Sequence, residues 1–411
     1  MEMHVNLSML PLVLAFILMA LHSAAAEPPG IGKPPPEGVV ELVGIGGIDH
    51  SLAQLKDGSL MLVGGGSFRL STDGGLTWGS NQSLGSGVSG TGILRLQSGA
   101  LALTSGAQIR VSEDEGKTWG PALRAKMLGG PFWDTMIQLK SGRLLYPSRT
   151  CYSSSPADLA CAPQSIGLWR GQKYATEGHG HMPEIDIAAV SYSVNFGNTW
   201  EQSANLIGWF DEKGEPNGYG AHTSCDEPNV AETVDGRVLF LARSQVGRLV
   251  YSYSSDGGAT WTAVRPTKLA CSYSPPRLRR IPKTRDLLCV WNQVSGDEIR
   301  RGYRRGRLST AISKDSGKTW EHFKTIEVSA GLDDVARVEP DAEIRWVRGR
   351  DDLGELPDNW AFFHYPNVCF AGDKVFVMYS RGSPLLGIAE KNLNKQEQVT
   401  RIYPLEWFYR D

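Results

Sequence analysis

The sequence lacks an excess of charge of either sign. Its 411 residues contain 42 Lys and Arg against 44 Asp and Glu, so the formal net charge is −2. Because binding to nucleic acid phosphates requires a basic surface, this balance argues against a nucleic acid partner. The interior of the chain also lacks an apolar run long enough to cross a bilayer, which excludes a bundle of transmembrane helices.

The N-terminus has the pattern of a secretory signal peptide. The apolar run 10–21 is followed by small residues at Ala24 and Ala26 and then by Glu27. Small residues at these two positions fit the pocket of signal peptidase, which predicts cleavage after Ala26. Residues 1–9 contain no Lys or Arg, so an uncleaved membrane anchor is the alternative. We expect residues 27–411 to be a single domain that is secreted or periplasmic and free of the membrane.

Cysteine is scarce, with six residues, and no pair has the CxxC spacing of a structural zinc site. His179 and His181 form a weak metal-binding pattern that is more typical of a solvated loop. We therefore expect neither a metal ion nor another cofactor. Export permits disulfides, and Cys151 and Cys161, which bracket a loop rich in Ser and Pro, are the best candidates for a pair.

Glycine and tryptophan, by contrast, are abundant, with 47 and 12 residues, and this combination suggests many short strands joined by tight turns. Five segments share the pattern S-x-[DN]-x-G-x-T-W, which is known as the Asp-box. Its Asp or Asn accepts backbone hydrogen bonds within a turn, its Gly supplies a positive φ, and its Trp packs beside the turn. The five segments are Ser71–Trp78, Ser112–Trp119, Ser193–Trp200, Ser254–Trp261 and Ser313–Trp320.

A second repeat consists of an apolar strand, a turn and another strand, and it occurs six times. The turns lie at Asp57, Ser98, Ser141, Asp235, Lys283 and Gly372. Six hairpins that each open a four-stranded unit predict an all-β fold, a six-bladed β-propeller. Two β-sandwich domains are the alternative, but no linker divides the chain after Pro36 and the repeat runs through its centre.

The hairpin repeat also predicts which residues lie at the mouth of the central channel, where the first strand of each blade begins. Glu227-Pro-Asn-Val and Tyr365-Pro-Asn-Val precede two equivalent hairpins, which places Glu227 and Tyr365 at equivalent positions. Counting back equally far from the other turns gives Asp49 or His50, Thr91, Asp134 and Ser274. We expect Asp49, Asp134, Glu227 and Tyr365 to converge on one cavity.

Arginines are expected at the same mouth. Arg243 follows the turn at Asp235 by eight residues, and Arg149 follows Ser141 by eight, so both should end the second strands of their blades. Arg305 should open the third strand of blade five. Three arginines at equivalent positions favour a shared anionic ligand over three unrelated surface residues.

These features resemble those of exo-sialidases. In that family a Glu opens a strand of the form E-x-x-V-x-E, an Arg closes the next strand before an Asp-box, a later Arg starts R-x-x-L, and a Tyr opens the final blade. Glu227, Arg243, Arg305 and Tyr365 occur in that order. The resemblance implies a retaining hydrolase in which Glu227 takes the proton of the nucleophile Tyr365. The arginines would bind the substrate carboxylate, whose charge would repel an anionic nucleophile.

Two features depart from the sialidase pattern. The first strand lacks the R-I-P motif of the first clamp arginine, and the loop after the second strand of blade one is too short to hold the acid Asp. Arg149 is a candidate for the missing clamp residue, and Asp49, His50 or Asp134 for the general acid.

The sequence thus predicts a secreted retaining exo-glycosidase that acts on a terminal acidic sugar of a glycan, with sialic acid the expected sugar. The alternatives are a non-catalytic glycan-binding propeller, and a different glycosidase or a polysaccharide lyase on the same scaffold. The oligomeric state is left open.

Overall fold

The structure, a computed structural model, describes residues 31–153, 156–161, 166–169, 172–176, 185–206, 208–210, 222–223, 225–334, 356–386 and 396–410. These residues confirm the predicted all-β, six-bladed β-propeller. The predicted signal peptide, and His179 and His181, lie outside the described residues. Within the described ranges, no helix is both long and apolar enough to cross a membrane.

The first two blades are antiparallel sheets of four strands, because hairpin turns and Asp-boxes reverse the chain at short intervals. The first strand in the chain, β1 (Val40–Val43), lies outside them, in the last blade. Blade one consists of β2 (His50–Gln54), β3 (Leu60–Gly64), β4 (Ser67–Ser71) and β5 (Gln82–Ser83). Blade two consists of β6 (Gly92–Arg95), β7 (Leu101–Ser105), β8 (Gln108–Ser112) and β9 (Leu123–Arg124).

Blade three carries the largest insertion. Its strands are β10 (Ile137–Gln138), β11 (Leu144–Ser153), β14 (Ile185–Ser193) and β15 (Glu201–Gln202). Between β11 and β14 lie the helix α1 (Pro156–Cys161) and the strands β12 (Ile166–Trp169) and β13 (Gln172–Thr176), which extend the sheet. A separate hairpin of β16 (Trp209–Phe210) and β17 (His222–Thr223) follows.

Blades four and five again have four strands each. Blade four consists of β18 (Asp226–Glu232), β19 (Val238–Arg243), β20 (Arg248–Ser254) and β21 (Arg265–Ala270). Blade five consists of β22 (Arg277–Arg280), β23 (Leu287–Trp291), β24 (Arg307–Ser313) and β25 (Glu321–Val328), with the short helix α2 (Gly296–Arg300) before β24.

Blade six closes the ring by joining both ends of the chain. It contains β26 (Phe362–Ala371), β27 (Lys374–Gly382) and β28 (Glu397–Pro404), and β1 pairs antiparallel with β28 as its fourth strand. This pairing explains why no Asp-box follows the last predicted hairpin. Two 3-10 turns, Pro384–Leu386 and Leu405–Tyr409, complete the described elements.

The hydrophobic cores lie between neighbouring blades. Blades five and six, for example, bury Val290, Ile312, Val377 and Tyr379 against one another. The inner strand of every blade lines the central axis, where a cavity of about 710 Å³ opens on the side of the hairpin turns.

The predicted disulfide is wrong. Cys151 carries a free thiol and is buried, as are Cys225, Cys271, Cys289 and Cys369, while the side chain of Cys161 lies outside the described part. The physical reason is the course of β11, which directs the Cys151 thiol inward, where Nη1 of Arg149 lies 3.2 Å from its Sγ.

Candidate functional site

Three residues at or near the start of inner strands have a left-handed backbone. Asp134, Glu227 and Tyr365 have φ angles of 51°, 45° and 51°. In β18 and β26 the strand register shifts at this point, as in a β-bulge. A non-glycine residue in this region costs about 1–3 kcal/mol and persists only where its surroundings enforce it, often at functional sites. The three conformations therefore mark this end of the propeller as a candidate site.

Glu227 forms a buried ion pair with Arg243, which ends β19. Nη1 of Arg243 lies 2.7 Å from Oε2 of Glu227, and its Nη2 lies 2.5 Å from Oδ2 of Asp226. Burial raises the pKa of Glu227, and the charge of Asp226 raises it further, although Arg243 opposes both effects. A carboxyl group with a raised pKa is suited to accept and return a proton near neutral pH.

Asp226 also binds the second predicted arginine. Nε of Arg149 lies 3.2 Å from Oδ1 of Asp226. Arg149 lies within β11 and not at its end, because the strand continues into the insertion of blade three. Burial alone would raise the pKa of Asp226, but Arg243 and Arg149 outweigh this effect and lower it. Asp226 is therefore ionised and neutralises part of the charge of both arginines.

A further carboxyl group lies behind Asp226. The hydroxyl of Tyr273 lies 3.2 Å from Oδ2 of Asp226 and 3.3 Å from Oδ2 of Asp186, and the Tyr273 ring centroid lies 3.9 Å from Cζ of Arg243. Burial, followed by the charge of Asp226, raises the pKa of Asp186 to about 8, so this carboxyl group holds a proton more tightly than a solvent-exposed aspartate.

Asp186 and Asp226 also belong to the one group of possible metal ligands in the described residues. Cys151, Asp186 and Asp226 each offer a ligand atom, and these atoms lie within 4.8 Å of one another. Asp226, however, already binds the guanidinium groups of Arg243 and Arg149. Because these cations repel a metal ion and neutralise its hardest ligand, the donor set does not fit one.

Tyr365 lies under the third predicted arginine. Cζ of Arg305 lies 4.8 Å from the Tyr365 ring centroid, and Nη1 of Arg305 contacts Nδ1 of His364. Burial and the charge of Arg305 lower the pKa of His364 well below its usual range, so the imidazole is neutral and its Nδ1 accepts this hydrogen bond. Arg305 precedes β24 by two residues, whereas the spacing predicted that it opens the strand.

An aromatic wall borders Tyr365 on another side. The ring centroids of Trp133 and Phe132 lie 5.5 Å and 5.7 Å from that of Tyr365. Trp133 is partly exposed, and aromatic rings of this kind offer flat faces to the apolar side of a sugar.

Glu227 and Tyr365 lie at the same end of the propeller. Burial has the largest effect on the pKa of Glu227 and on that of Arg243. Arg305 lies over Tyr365, and its charge lowers the pKa of Glu227. The negative charge of an ionised Tyr365 raises the pKa of Arg243. The two predicted central residues thus share an electrostatic environment formed by two arginines.

The carboxylate of Asp134 is turned towards the axis. Its Oδ2 lies 2.9 Å from Nη2 of Arg279 and accepts a hydrogen bond of 2.9 Å from Nδ2 of Asn367. Asp134 also lines the axial cavity, which opens on the face opposite to Glu227. Among the described residues, its carboxylate forms no hydrogen bond with Glu227 or Tyr365.

Asp49 and His50 pair with one another in blade one. Oδ1 of Asp49 lies 2.9 Å from Nδ1 of His50, and this contact is the main reason for the lowered pKa of Asp49. In the part of the chain that the structure describes, neither side chain is hydrogen-bonded to Glu227, Arg243 or Tyr365. Their assignment as the general acid stays a prediction.

Sequence reasoning missed Asp226, Tyr273 and His364. Each directly precedes a residue that the repeat placed at the mouth, namely Glu227, Ser274 and Tyr365. A strand normally points consecutive side chains to opposite faces, so a regular strand would turn the preceding residue away from the channel. The Pro that follows both Glu227 and Tyr365 was the available signal, because it interrupts the ladder and favours a bulge.

The fold and the Asp-boxes together define a class of protein, the Asp-box β-propellers. The chain belongs to the BNR repeat-like domain family, whose model matches residues 97–377, about two thirds of the chain. This match confirms the predicted resemblance to the sialidase superfamily with its Asp-boxes. No curated protein matches the chain in sequence.

Solved structures align with the chain at low sequence identity. A Trypanosoma rangeli sialidase in complex with 2,3-difluorosialic acid has a TM-score of 0.50 at 13% identity, and the alignment covers 91% of this chain and 60% of the sialidase. A Fusarium graminearum α-L-arabinofuranosidase has a TM-score of 0.48 at 12% identity, with 88% and 94% coverage. A Penicillium chrysogenum α-L-arabinanase has a TM-score of 0.47 at 14% identity, and the alignment covers 92% of this chain and 97% of the arabinanase. The alignment with the sialidase shows similarity of fold.

Proposed function

We propose that the protein is a retaining exo-glycosidase of the sialidase type, with Tyr365 as nucleophile and Glu227 as its base. The observation that supports this most is the pair of equivalent, left-handed strand openings of blades four and six. They place Glu227 against Arg243 and Tyr365 beneath Arg305, so that a phenol and a carboxyl group share one basic environment. Export after cleavage behind Ala26 belongs to the same proposal.

The chemistry follows from these neighbours. A phenol has a pKa of about 10 and is a weak nucleophile at neutral pH. Glu227 takes the phenol proton while the Tyr365 oxygen bonds to the anomeric carbon, and the Arg305 charge above the ring stabilises the developing phenolate. The leaving alcohol departs with a proton from the general acid, for which Asp49, His50 and Asp134 stay the candidates. Water then attacks the anomeric carbon and gives a proton to the general acid, and Glu227 returns its proton to the Tyr365 oxygen as the glycosyl-tyrosine bond breaks.

For the substrate we propose a terminal acidic sugar, with sialic acid the first to test. Among the described residues Arg305 has no carboxylate partner, and its contacts are His364, the Tyr273 carbonyl and the Tyr365 ring. Its guanidinium is therefore suited to bind a substrate carboxylate. Arg243 and Arg149 would strengthen the positive potential of the site.

A second candidate is a glycosidase for a neutral sugar. Arg243 already binds two carboxylates and Arg149 binds one, which leaves Arg305 as the arginine with its charge uncompensated by the described residues. A clamp with one such arm binds an anion more weakly than a clamp with three. A neutral terminal sugar would need only the Tyr365–Glu227 pair and the aromatic wall.

A panel of 4-methylumbelliferyl glycosides tests the proposal. The panel contains the α-sialoside, a terminal uronide and neutral sugars, and proton NMR of the first product tests retention of the anomeric configuration. Tyr365→Phe and Glu227→Gln should lower kcat by about 10³-fold or more, since nucleophile and base act in the chemical step. Tyr192→Phe, a tyrosine bonded to Glu201 in blade three, is the matched control and should retain full activity.

The outcomes separate the alternatives. Turnover of the sialoside alone supports the acidic-sugar proposal, and turnover of a neutral glycoside supports the second candidate. Undiminished turnover by Tyr365→Phe would remove the nucleophile. Glycan binding without product identifies a lectin, and an unsaturated product from a uronate polymer identifies a lyase.

A further inference from the structure

Arg277 lies on the axis of the propeller, at the start of β22, with a fully buried side chain. By strand register, Arg277 corresponds to Asn229 in blade four and to Asn367 in blade six. Pro275, and not the predicted Ser274, is therefore the residue of blade five that corresponds to Glu227 and Tyr365. Blade five therefore has an arginine where the blades that carry Glu227 and Tyr365 have an asparagine. A longer side chain with more donors replaces a short amide at the centre of the molecule.

The Arg277 guanidinium donates hydrogen bonds to three other blades. Its Nη2 and Nη1 lie 3.0 Å from the carbonyl oxygens of Trp133 and Asp134, and its Nε lies 3.1 Å from that of Pro366. Nη1 also lies 3.3 Å from Oδ1 of Asn229. Only arginine has five N–H donors in one rigid plane, so only arginine can bind blades three, four and six at once.

These acceptors belong to the segments with left-handed openings. Asp134 has such a backbone itself, Pro366 directly follows Tyr365, and Asn229 follows Glu227 by two residues. The unfavourable φ angles need support from outside the local chain. The Arg277 hydrogen bonds supply that support, because they fix the carbonyl orientation at Trp133, Asp134 and Pro366.

The burial of the Arg277 guanidinium lowers the stability of the fold. All four of its acceptors are neutral oxygens, and burying a guanidinium without a bonded carboxylate carries a large desolvation cost. Burial, together with the nearby charge of Arg279, lowers the pKa of Arg277. Asparagine serves at the two equivalent positions without this cost. The arginine therefore requires a reason beyond core packing.

We infer that Arg277 is a positioning residue that holds the openings of β18 and β26 in register and thereby fixes Tyr365 relative to Glu227. The inference deepens the proposed function and rests on it for any effect on turnover. Its geometric content, the fixed orientation of Tyr365, can be measured in the absence of a substrate.

The test uses the full mature chain labelled with 3-fluorotyrosine, with the ¹⁹F resonance of Tyr365 assigned by its loss in Tyr365→Phe. Arg277→Lys and Arg277→Gln should shift and broaden this resonance. Arg401→Lys is the matched control, since Arg401 is equally buried and also donates to backbone carbonyls, those of Ile326 and Lys33, but away from the site. It should lower stability and leave the resonance in place.

Kinetics give a second readout once a substrate is known. Arg277→Lys should lower kcat by about 10²-fold with little change in KM, because small misplacements of reacting groups cost rates of this size. A wild-type resonance in folded Arg277→Lys would overturn the inference. If neither Arg277 variant folds, the test uses Asn229→Ala, which removes one acceptor of the Arg277 guanidinium. A shifted Tyr365 resonance in this variant supports the inference, and an unchanged resonance overturns it. If no substrate is turned over by wild-type protein, the proposed function fails while the ¹⁹F result still stands.

Discussion

Pairs of consecutive side chains build the site at the scale of single residues. Asp226 and Glu227 both bind Arg243, and His364 and Tyr365 both contact Arg305. The second member of each pair was predicted from the repeat, whereas the first was not. Regular alternation would turn the first member away, and only the bulge, which depends on pairing with the next strand, brings it back.

The protonation state of His364 can be tested directly. Since burial and Arg305 lower its pKa, we expect the ring to stay neutral, with its proton on Nε2, as the pH falls through the usual histidine pKa of about 6.5. Long-range ¹H–¹⁵N NMR of the histidine rings measures this. A titration of His364 with a midpoint near 6.5 would contradict the described Arg305 contact.

The lowered pKa of His364 also predicts a pH dependence of the free energy of unfolding. The unfolded chain binds a proton at His364 below about pH 6.5 and the folded chain does not, so this residue lowers the free energy of unfolding as the pH falls. His364→Gln keeps an acceptor for Arg305 but cannot titrate. Urea unfolding should show the variant gaining stability relative to wild type between pH 7 and 5, and a constant difference would count against this reading.

The buried thiols give another residue-scale prediction. Burial raises the pKa of Cys271 and Cys369 to about 12, and the thiolate is the reactive form. Ellman's reagent should therefore modify none of the five described thiols in the native protein, and all of them in denaturant. A reductant should leave the melting temperature unchanged. A large decrease in melting temperature would show that Cys151 is bonded after all.

The Asp-box is the element that made the fold predictable. In the first box, Oδ1 of Asp73 accepts hydrogen bonds of 3.0 Å from the backbone N–H groups of Leu76 and Thr77, and Trp78 donates to the carbonyl of Gly75. All of these contacts lie within eight residues. A local pattern can therefore specify the turn without knowledge of the rest of the chain.

A box variant should lose stability in a pH-dependent way. Burial alone would raise the pKa of Asp256, but hydrogen bonds from Thr260 and Ser254 lower it to about 2. Asp256→Asn should cost about 1 kcal/mol, the size of a lost charge-assisted hydrogen bond at the surface. The difference from wild type should be constant from pH 7 to 5. It should shrink below about pH 3.9, because the unfolded Asp then takes up a proton, and this continues until the folded carboxylate is also protonated near pH 2.

The third box supplies the control for this experiment. It already has Asn195 in place of the acid, and Asn195 accepts from the N–H of Thr199 and donates to its hydroxyl. Asn195→Asp should raise the free energy of unfolding above about pH 4. Chemical denaturation of both variants across pH measures the effect, and equal pH profiles would show that the box charge has no influence.

At the scale of the whole molecule, closure of the ring was not predictable from local patterns. The strand Val40–Val43 has no turn or box of its own, and its partner β28 lies more than 350 residues away in the chain. A buried network reinforces the closure. Nε of Arg401 lies 2.7 Å from Oε2 of Glu41, and its Nη2 lies 2.9 Å from Oε1 of Glu327. Oε2 of Glu327 also accepts a hydrogen bond from the backbone N–H of Lys33. Such partners are apparent only once the blades are assembled.

Removal of the closing strand should be costly. A chain that begins at Gly44 loses β1, leaves the edge of β28 open and removes the Glu41 carboxylate and the backbone N–H of Lys33 from the buried network. We expect a loss of about 3–5 kcal/mol in the free energy of unfolding, the range for breaking a buried ion pair. The control is a chain that begins at Ile31. Equal urea midpoints for the two chains would show that closure contributes nothing.

The arginine at the axis also determines how a glycan can pass. Arg277, Arg279, Asn229, Asn367 and Asp134 meet across the channel and tie blades three to six together. A polymer therefore cannot thread from one face of the ring to the other. Any sugar must enter and leave by the same opening, so under the proposed activity each cleavage ends with complete release of the shortened chain, and successive cuts require fresh encounters.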